Sequence, residues 1–222
     1  MVNLGVLVSG SGSNLQAIID NIEAGRLDAK IKIVISNVSD VYALDRAKKH
    51  GIPSLVLPHQ GLKREEYDQK LVEALKARGV DLVVLAGFMR IITPLLLRAF
   101  PMRVINIHPA LLPAFPGTHV WQTQIDYGVK FAGCTVHFVD EGTDTGPIII
   151  QAVVPVYDDD TADTLNARIL KQEHKIYSQA IQMYAQGRLE IQGHRVLAKG
   201  MPKASDSFMI NPPAEIFEKM QE

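Results

Sequence analysis

Apolar runs and amphipathic stretches alternate through the first 107 residues, and this alternation limits the possible folds more than any other feature. Val2 to Val8 is short, aliphatic and β-branched, and it ends in Ser9-Gly10-Ser11-Gly12-Ser13-Asn14. Apolar groups then recur at helical spacing at Leu15, Ile18, Ile19 and Ile22, with Gly25 as the stop. The same order repeats. A strand at Ile31 to Ser36 precedes a short helix from about Tyr42 to His50, closed by Gly51. A strand at Ser54 to Leu57 precedes a helix from Arg64 to Arg78, which carries the stripe Tyr67, Leu71 and Leu75 and is capped by Gly79. Asp81 to Ala86 is a continuous apolar run of the kind buried on both faces of a parallel sheet. Residues Phe88 to Ile92 read as a loop into a helix begun near Pro94, and Arg103 to Ile107 is a further strand. Consecutive strand–helix units need crossover connections, so a parallel sheet with right-handed crossovers is expected.

Beyond Ile107 the pattern changes. A helix is expected near Trp121 to Tyr127, then two strands, Lys130 to Val139 and Pro147 to Tyr157, joined by the acidic turn Asp140 to Gly146. A long helix follows from an Asp160 or Thr161 cap to about Gly187. With 47% hydrophobic and 21% charged residues, the chain can bury one large core. The expected fold class is therefore α/β: a single domain with a Rossmann-like, mostly parallel twisted sheet flanked by helices, a C-terminal β-hairpin-like extension and a long helix. Residues 1–200 are assigned to this domain. Residues 201–222, polar with prolines, are assigned to a loosely held tail.

Several function classes are excluded. A formal net charge of −1 gives no general attraction to nucleic acid, although a local anion site remains compatible with it. The single cysteine, Cys134, rules out an intrachain disulfide or a multi-cysteine metal site, and its setting reads as a buried strand rather than a nucleophile. The N-terminus lacks the basic flank of a signal peptide, and no segment reaches the ~20 apolar residues of a membrane span. A soluble cytoplasmic protein without membrane or nucleic-acid partners, monomeric or homodimeric, is expected.

Three motifs carry chemistry. The turn Gly10-Ser11-Gly12-Ser13-Asn14-Leu15 begins like a dinucleotide fingerprint, but Leu15 stands where the third glycine belongs and Ser36-Asn37 where a ribose-binding acid belongs. It also lacks the Gly-Lys-Ser/Thr of a P-loop. What remains is a helix N-terminus with free N–H groups and two hydroxyls, suited to one phosphate monoester, or else a tight strand–helix turn with an N-cap serine.

Asn106 and His108 stand two apart on a strand, so their side chains share a face, and Pro109, Pro113 and Pro116 frame a stiff loop behind them. An amide N–H and a protonated imidazole aimed at one point would stabilise an oxyanion developing on a carbonyl. The alternative is a polar strand end hydrogen-bonded to its loop. The turn Asp140 to Gly146 does not have the spacing of a calcium loop. It is either a solvated hairpin or the source of a carboxylate that keeps His108 cationic.

Taken together, Ser9 to Leu15, Ala86-Gly-Phe-Met-Arg-Ile91, Asn106-Ile-His-Pro-Ala-Leu-Leu-Pro113 and Gly133 to Gly146 resemble the folate-dependent glycinamide ribonucleotide formyltransferase family. The resemblance runs in order from Val2 to about Arg195. Thr143 departs from the family's usual aliphatic residue and changes only a packing neighbour of Asp144. The resemblance implies that 10-formyltetrahydrofolate, as cosubstrate, gives its formyl group to the amine of glycinamide ribonucleotide in purine biosynthesis, with no metal. It implies that Gly12, Ser13 and Asn14 hold the ribonucleotide phosphate and that Glu173 contacts the ribonucleotide. It places Arg64, Met89, Arg90, Ile91 and Ile92 at the folate pocket, with Asn106 and the backbone from Asp140 to Asp144. It makes Asn106, His108 and Asp144 the catalytic trio.

Two related activities are disfavoured. A methionyl-tRNA formyltransferase needs a further RNA-binding domain and a more basic chain. A formyltetrahydrofolate hydrolase carries an added N-terminal region. From another class, a non-catalytic nucleotide-binding module would use the Gly-rich turn alone.

Overall fold

The structure, a computed structural model, describes residues 1–200 together with 209 and 211. Five parallel strands come first: β1 (Val2–Val8), β2 (Ala29–Ser36), β3 (Ser54–Val56), β4 (Leu82–Leu85) and β5 (Val104–His108). Between them lie α1 (Ser13–Glu23), α2 (Tyr42–Lys49), α3 (Arg64–Ala77) and α4 (Pro94–Ala99). Then follow α5 (Val120–Tyr127), β6 (Phe131–Phe138), β7 (Ile148–Pro155), α6 (Ala162–Ala185), β8 (Leu189–Gln192) and β9 (Arg195–Ala198).

Among the described residues, nine strands form one sheet in the order β3-β2-β1-β4-β5-β6-β7-β9-β8. The order turns back between β1 and β4, and the loops leaving their C-terminal ends diverge to leave a crevice there. The two strands expected as a hairpin-like extension are β6 and β7. They extend the parallel sheet itself, β6 antiparallel to β5 and β7 antiparallel to β6.

Residue alternation sorts the core onto two faces. Leu4, Val6, Val8, Val84, Ile105 and Ile107 pack with α1 and α6, while Leu7, Val83, Leu85 and Val104 pack with α3 and α4. The α6 stripe Leu165, Ile169, Ile176, Tyr177, Ala180 and Ile181 recurs at helical spacing and is buried throughout. The Tyr177 hydroxyl donates toward the carbonyls of Leu85 (2.9 Å) and Ile105 (3.2 Å), which pins the helix across β4 and β5.

The hairpin β8–β9 is a correction to the sequence reading, which placed nothing after the long helix. Its signal was present: Leu189 and Ile191 alternate, and a two-residue turn at Gly193-His194 follows, with Gly193 at φ 61°. At four residues per strand the hairpin is stabilised by docking on β7 rather than by its own pattern. The expected loose tail at 201–222 lies outside the described residues, apart from Met209 and Asn211. The Asn211 amide donates to the carbonyls of Lys130 and Val156, both at 2.7 Å.

Thr161 caps α6 by accepting the Thr164 N–H at 3.3 Å. Just before it, Asp160 takes a two-pronged contact from Arg168 at 2.7 and 2.8 Å, and this guanidinium holds the Asp160 carboxyl down to about 2. Because the folded group titrates below its ordinary value, its contribution is complete above about pH 4 and is lost as pH falls toward 2. Asp160→Asn is expected to lower unfolding free energy by roughly 1–2 kcal/mol at pH 7. The difference should close near pH 2 in denaturant titrations. A penalty unchanged between the two pH values would show that the charge is not the source.

Candidate active site

The site is built on the C-terminal ends of β1, β4, β5 and the start of the β6–β7 turn. Leu7 pairs with Leu85, Leu85 with Asn106, and Asn106 with His137, so four strands present these positions in one row. With strands about 4.8 Å apart, β1 and β5 lie roughly 10 Å from each other along that row.

At the β1 end, Gly12 occupies the N-cap position of α1 in the left-handed region, φ 70°. A Cβ there would stand 2.6 Å from the Ala43 Cβ, so both conformation and space require glycine. No serine side chain caps the helix and no acidic residue lies in its first turn. The first helical bond runs from the Gln16 N–H to the Gly12 carbonyl, leaving the N–H groups of Ser13, Asn14 and Leu15 ahead of the ladder. These donors and the positive helix end suit an anion. The turn is braced from α2: the Ala43 N–H donates to Gly10 at 3.1 Å, and the Arg46 guanidinium donates to the Ser11 carbonyl at 2.9 Å. Arg46 thereby adds a positive charge beside the loop, a contribution that no local motif announced. A cavity of about 250 Å³ opens between residues 9–14 and Ala86, Gly87 and Met89.

Asn14, which lines this cavity, meets Glu173 of α6. The buried Asn14 amide donates to the Glu173 carboxylate at 2.8 Å, and its Oδ1 has no partner among the described residues. Burial pushes the Glu173 carboxyl up, and the Asn14 bond partly opposes this.

At the β5 end, Asn106 and His108 share the face that α3 and α4 leave uncovered. His108 is 4% exposed. Its Nε2–H donates to the Phe115 carbonyl at 2.8 Å, and its Nδ1 faces Asp144 Oδ2 at 3.4 Å. Both partners are acceptors, which suits an imidazolium carrying an N–H at each nitrogen. Asp144, at φ 56°, is fixed in its turn by accepting the Gly117 N–H at 2.8 Å, so the carboxylate also ties down the proline-framed loop.

His137 completes the group and was missed by the sequence reading. Its ring N–H donates from Nδ1 to the Phe138 carbonyl at 2.8 Å, and burial holds its pKa below the ordinary imidazole value. In that neutral form Nε2 accepts from the Asn106 amide at 3.3 Å, leaving the second amide N–H for a substrate oxygen. His137 Nε2 also lies 3.7 Å from Asp144 Oδ1. No sequence signal marked it, because residue 137 comes opposite 106 only through antiparallel register.

Apart from Asn106 on β5, the expected folate-lining residues fall on three segments: the start of α3, residues 89–92 and the β6–β7 turn. Met89 and Ile91 are exposed, whereas the Ile92 side chain is in the core against α3, so only its backbone can face a ligand. Arg90 lies over the Tyr67 ring at 4.5 Å. Asp68, buried on α3, accepts the Thr93 N–H at 2.5 Å and anchors the end of this segment. Arg64 is exposed at the start of α3 and makes no contact with the trio. Asp140 spends its carboxylate inside the turn, on the Gly142 N–H (3.1 Å) and the Thr145 hydroxyl (2.7 Å). Cys134 is buried on β6, with its thiol pushed up to about 12 by burial. Among the described residues, no helix is long and apolar enough to cross a membrane.

A family model described as formyl transferase matches residues 2–181. The phosphoribosylglycinamide formyltransferase of Escherichia coli is 42% identical over 191 residues, covering 86% of this chain and 90% of that protein. The trifunctional purine biosynthetic protein adenosine-3 of Drosophila melanogaster is 50% identical over 185 residues. That match covers 82% of this chain, which spans only 14% of the insect protein's length. Among solved structures, glycinamide ribonucleotide transformylase 1 of Symbiobacterium toebii superposes with a TM-score of 0.88 at 50% identity, covering 89% of this chain and 94% of that one.

Proposed function

The chain belongs to the formyl transferase family, and on that premise we propose that it transfers the formyl group of 10-formyltetrahydrofolate to the amine of glycinamide ribonucleotide, in purine biosynthesis. The observation that carries this reading is the contact of His108 with Asp144 beside Asn106, one short row of strands from an anion-binding helix end.

The ribonucleotide phosphate sits on the N–H groups that follow Gly12, at Ser13 and Asn14. The unpartnered Asn14 Oδ1 and the Glu173 carboxylate accept from donors of the same substrate. The folate lies along residues 89–92, with Arg64 at the outer edge and the 140–144 backbone opposite. The roughly 10 Å from β1 to β5 is then bridged by the ribonucleotide, whose amine reaches the formyl carbon beside Asn106.

The amine nitrogen attacks the formyl carbon, and the carbonyl oxygen becomes an oxyanion. It takes the free Asn106 N–H and displaces the Phe115 carbonyl from His108 Nε2. The attacking nitrogen then carries a proton that it must lose, and the folate nitrogen must gain one before its bond to carbon breaks. Asp144, with His108, passes that proton between them through a water. Formylglycinamide ribonucleotide and tetrahydrofolate leave, and the enzyme returns unchanged. Residues 1–200 make up the catalytic domain, which works on small molecules in the cytoplasm as a monomer or homodimer.

The direct test mixes purified protein with both substrates and follows folate absorbance, with mass analysis of the ribonucleotide product. Appearance of the formylated ribonucleotide is expected. Binding of both ligands without transfer would favour a nucleotide-binding module instead.

A further inference from the structure

The ribonucleotide loop and the folate-lining segment meet at one side chain, Ser9. Its hydroxyl accepts the Met89 N–H at 2.9 Å. An N–H can only donate, so the hydroxyl keeps its own hydrogen for Asn37 Oδ1, 2.5 Å away. Asn37 is 3% exposed and closes β2, where it meets the His59 ring at 3.3 Å. His59 packs edge-on to Tyr67 with centroids 6.4 Å apart, and the other ring contact of Tyr67 is the Arg90 guanidinium. The contacts therefore close a ring from Ser9 through Asn37, His59, Tyr67 and Arg90 back to Met89. Segment 89–90 is held at two points, by its backbone at the Gly-rich loop and by its side chain at α3.

We propose that the Ser9 hydroxyl couples the two substrate sites, so that ordering of residues 9–14 by the ribonucleotide positions the Met89–Arg90 backbone for the folate, and the reverse. This rests on the reading that the two loops receive those two substrates. Ser9 borders the same cavity as Ser13 and Asn14, so an anion seated there fixes the loop that carries the hydroxyl. The hydrogen bond to Met89 N–H then has lower entropic cost, and the second ligand meets a segment already in place. Ser9 is a positioning residue in this scheme and touches no reacting atom.

Equilibrium binding tests it. Glycinamide ribonucleotide is titrated calorimetrically into the full chain, alone and with a saturating deazafolate that has no formyl group to transfer. Wild-type protein is expected to bind at least about 5-fold more tightly with the deazafolate present, at the lower end of the usual range for coupled sites. By linkage, the ribonucleotide should tighten deazafolate binding by the same factor. Ser9→Ala should reduce the factor to below about 2, and Ser9→Thr, which keeps the hydroxyl, should restore it. If Ser9→Ala does not fold, His59→Ala decides: it cuts the second arm alone and should lower the factor by about half. Coupling that is absent in the wild type, retained in Ser9→Ala, or undiminished in His59→Ala overturns the proposal. Formyl transfer by a wild type without coupling would sink this inference alone. Failure of either ligand to bind the wild type would sink the functional reading beneath it.

Discussion

Asp144→Ala is expected to lower kcat by about 10²–10⁴-fold, the range for losing a positioned proton-transfer group. Three contacts converge on this carboxylate. Oδ2 faces His108 Nδ1 at 3.4 Å and accepts the Gly117 N–H at 2.8 Å, while Oδ1 is 3.7 Å from His137 Nε2. The side chain is only 14% exposed, so salt screens its charge poorly and its field on His108 persists. Alanine removes the charge and the loop tether together. Asp144→Asn separates them, because an amide oxygen can still accept from Gly117 but carries no charge toward the His108 ring. Turnover in the asparagine variant should stay close to that of alanine, with KM for the folate changing much less than kcat. Recovery of near-normal turnover in Asp144→Asn would mean that the residue only ties the loop, and the proton-transfer role would be lost.

His108→Ala should cost about 10²–10³ in kcat, the usual loss for one oxyanion donor, or more because the proton route is cut as well. Asn106→Ala should fall in the same range. The two donors are two apart on β5 and are proposed to serve one oxygen, so the double variant should lose less than the product of the single losses. The double variant also controls for structure. His108 is nearly buried, and its removal leaves a gap against the loop at Phe115, so melting curves must accompany the kinetics. Independent, multiplicative losses would show that the two side chains act at separate steps. A His108→Ala variant with near-normal turnover would end the mechanism.

Much of this molecule was readable along the chain because the relevant physics is local. The five parallel strands and their helices followed from apolar period, glycine stops and the alternation that burial on two faces demands. The Asn106–His108 pair was visible because strand geometry alone puts residues two apart on one side. The Gly-rich turn was visible because its small residues immediately precede a helix. The β8–β9 hairpin was not, since strands of four residues draw their stability from the sheet edge they join.

The partners of the legible residues were the hidden part. His137 lies 31 residues from Asn106 and meets it only through antiparallel register, and nothing about one histidine in an apolar strand distinguishes it. Ser9 and Met89 are 80 residues apart, joined because β1 and β4 are neighbours where the sheet order turns back. Arg46 reads as an ordinary helix cation until α2 packs against the Gly-rich loop. By itself, then, the sequence determined which local elements form and which polar side chains they display, because period, caps and turns act over a few residues. Only the tertiary structure decided which of those side chains meet, because hydrogen bonds and charge contacts act within about 3–4 Å. That proximity is set by strand order and register.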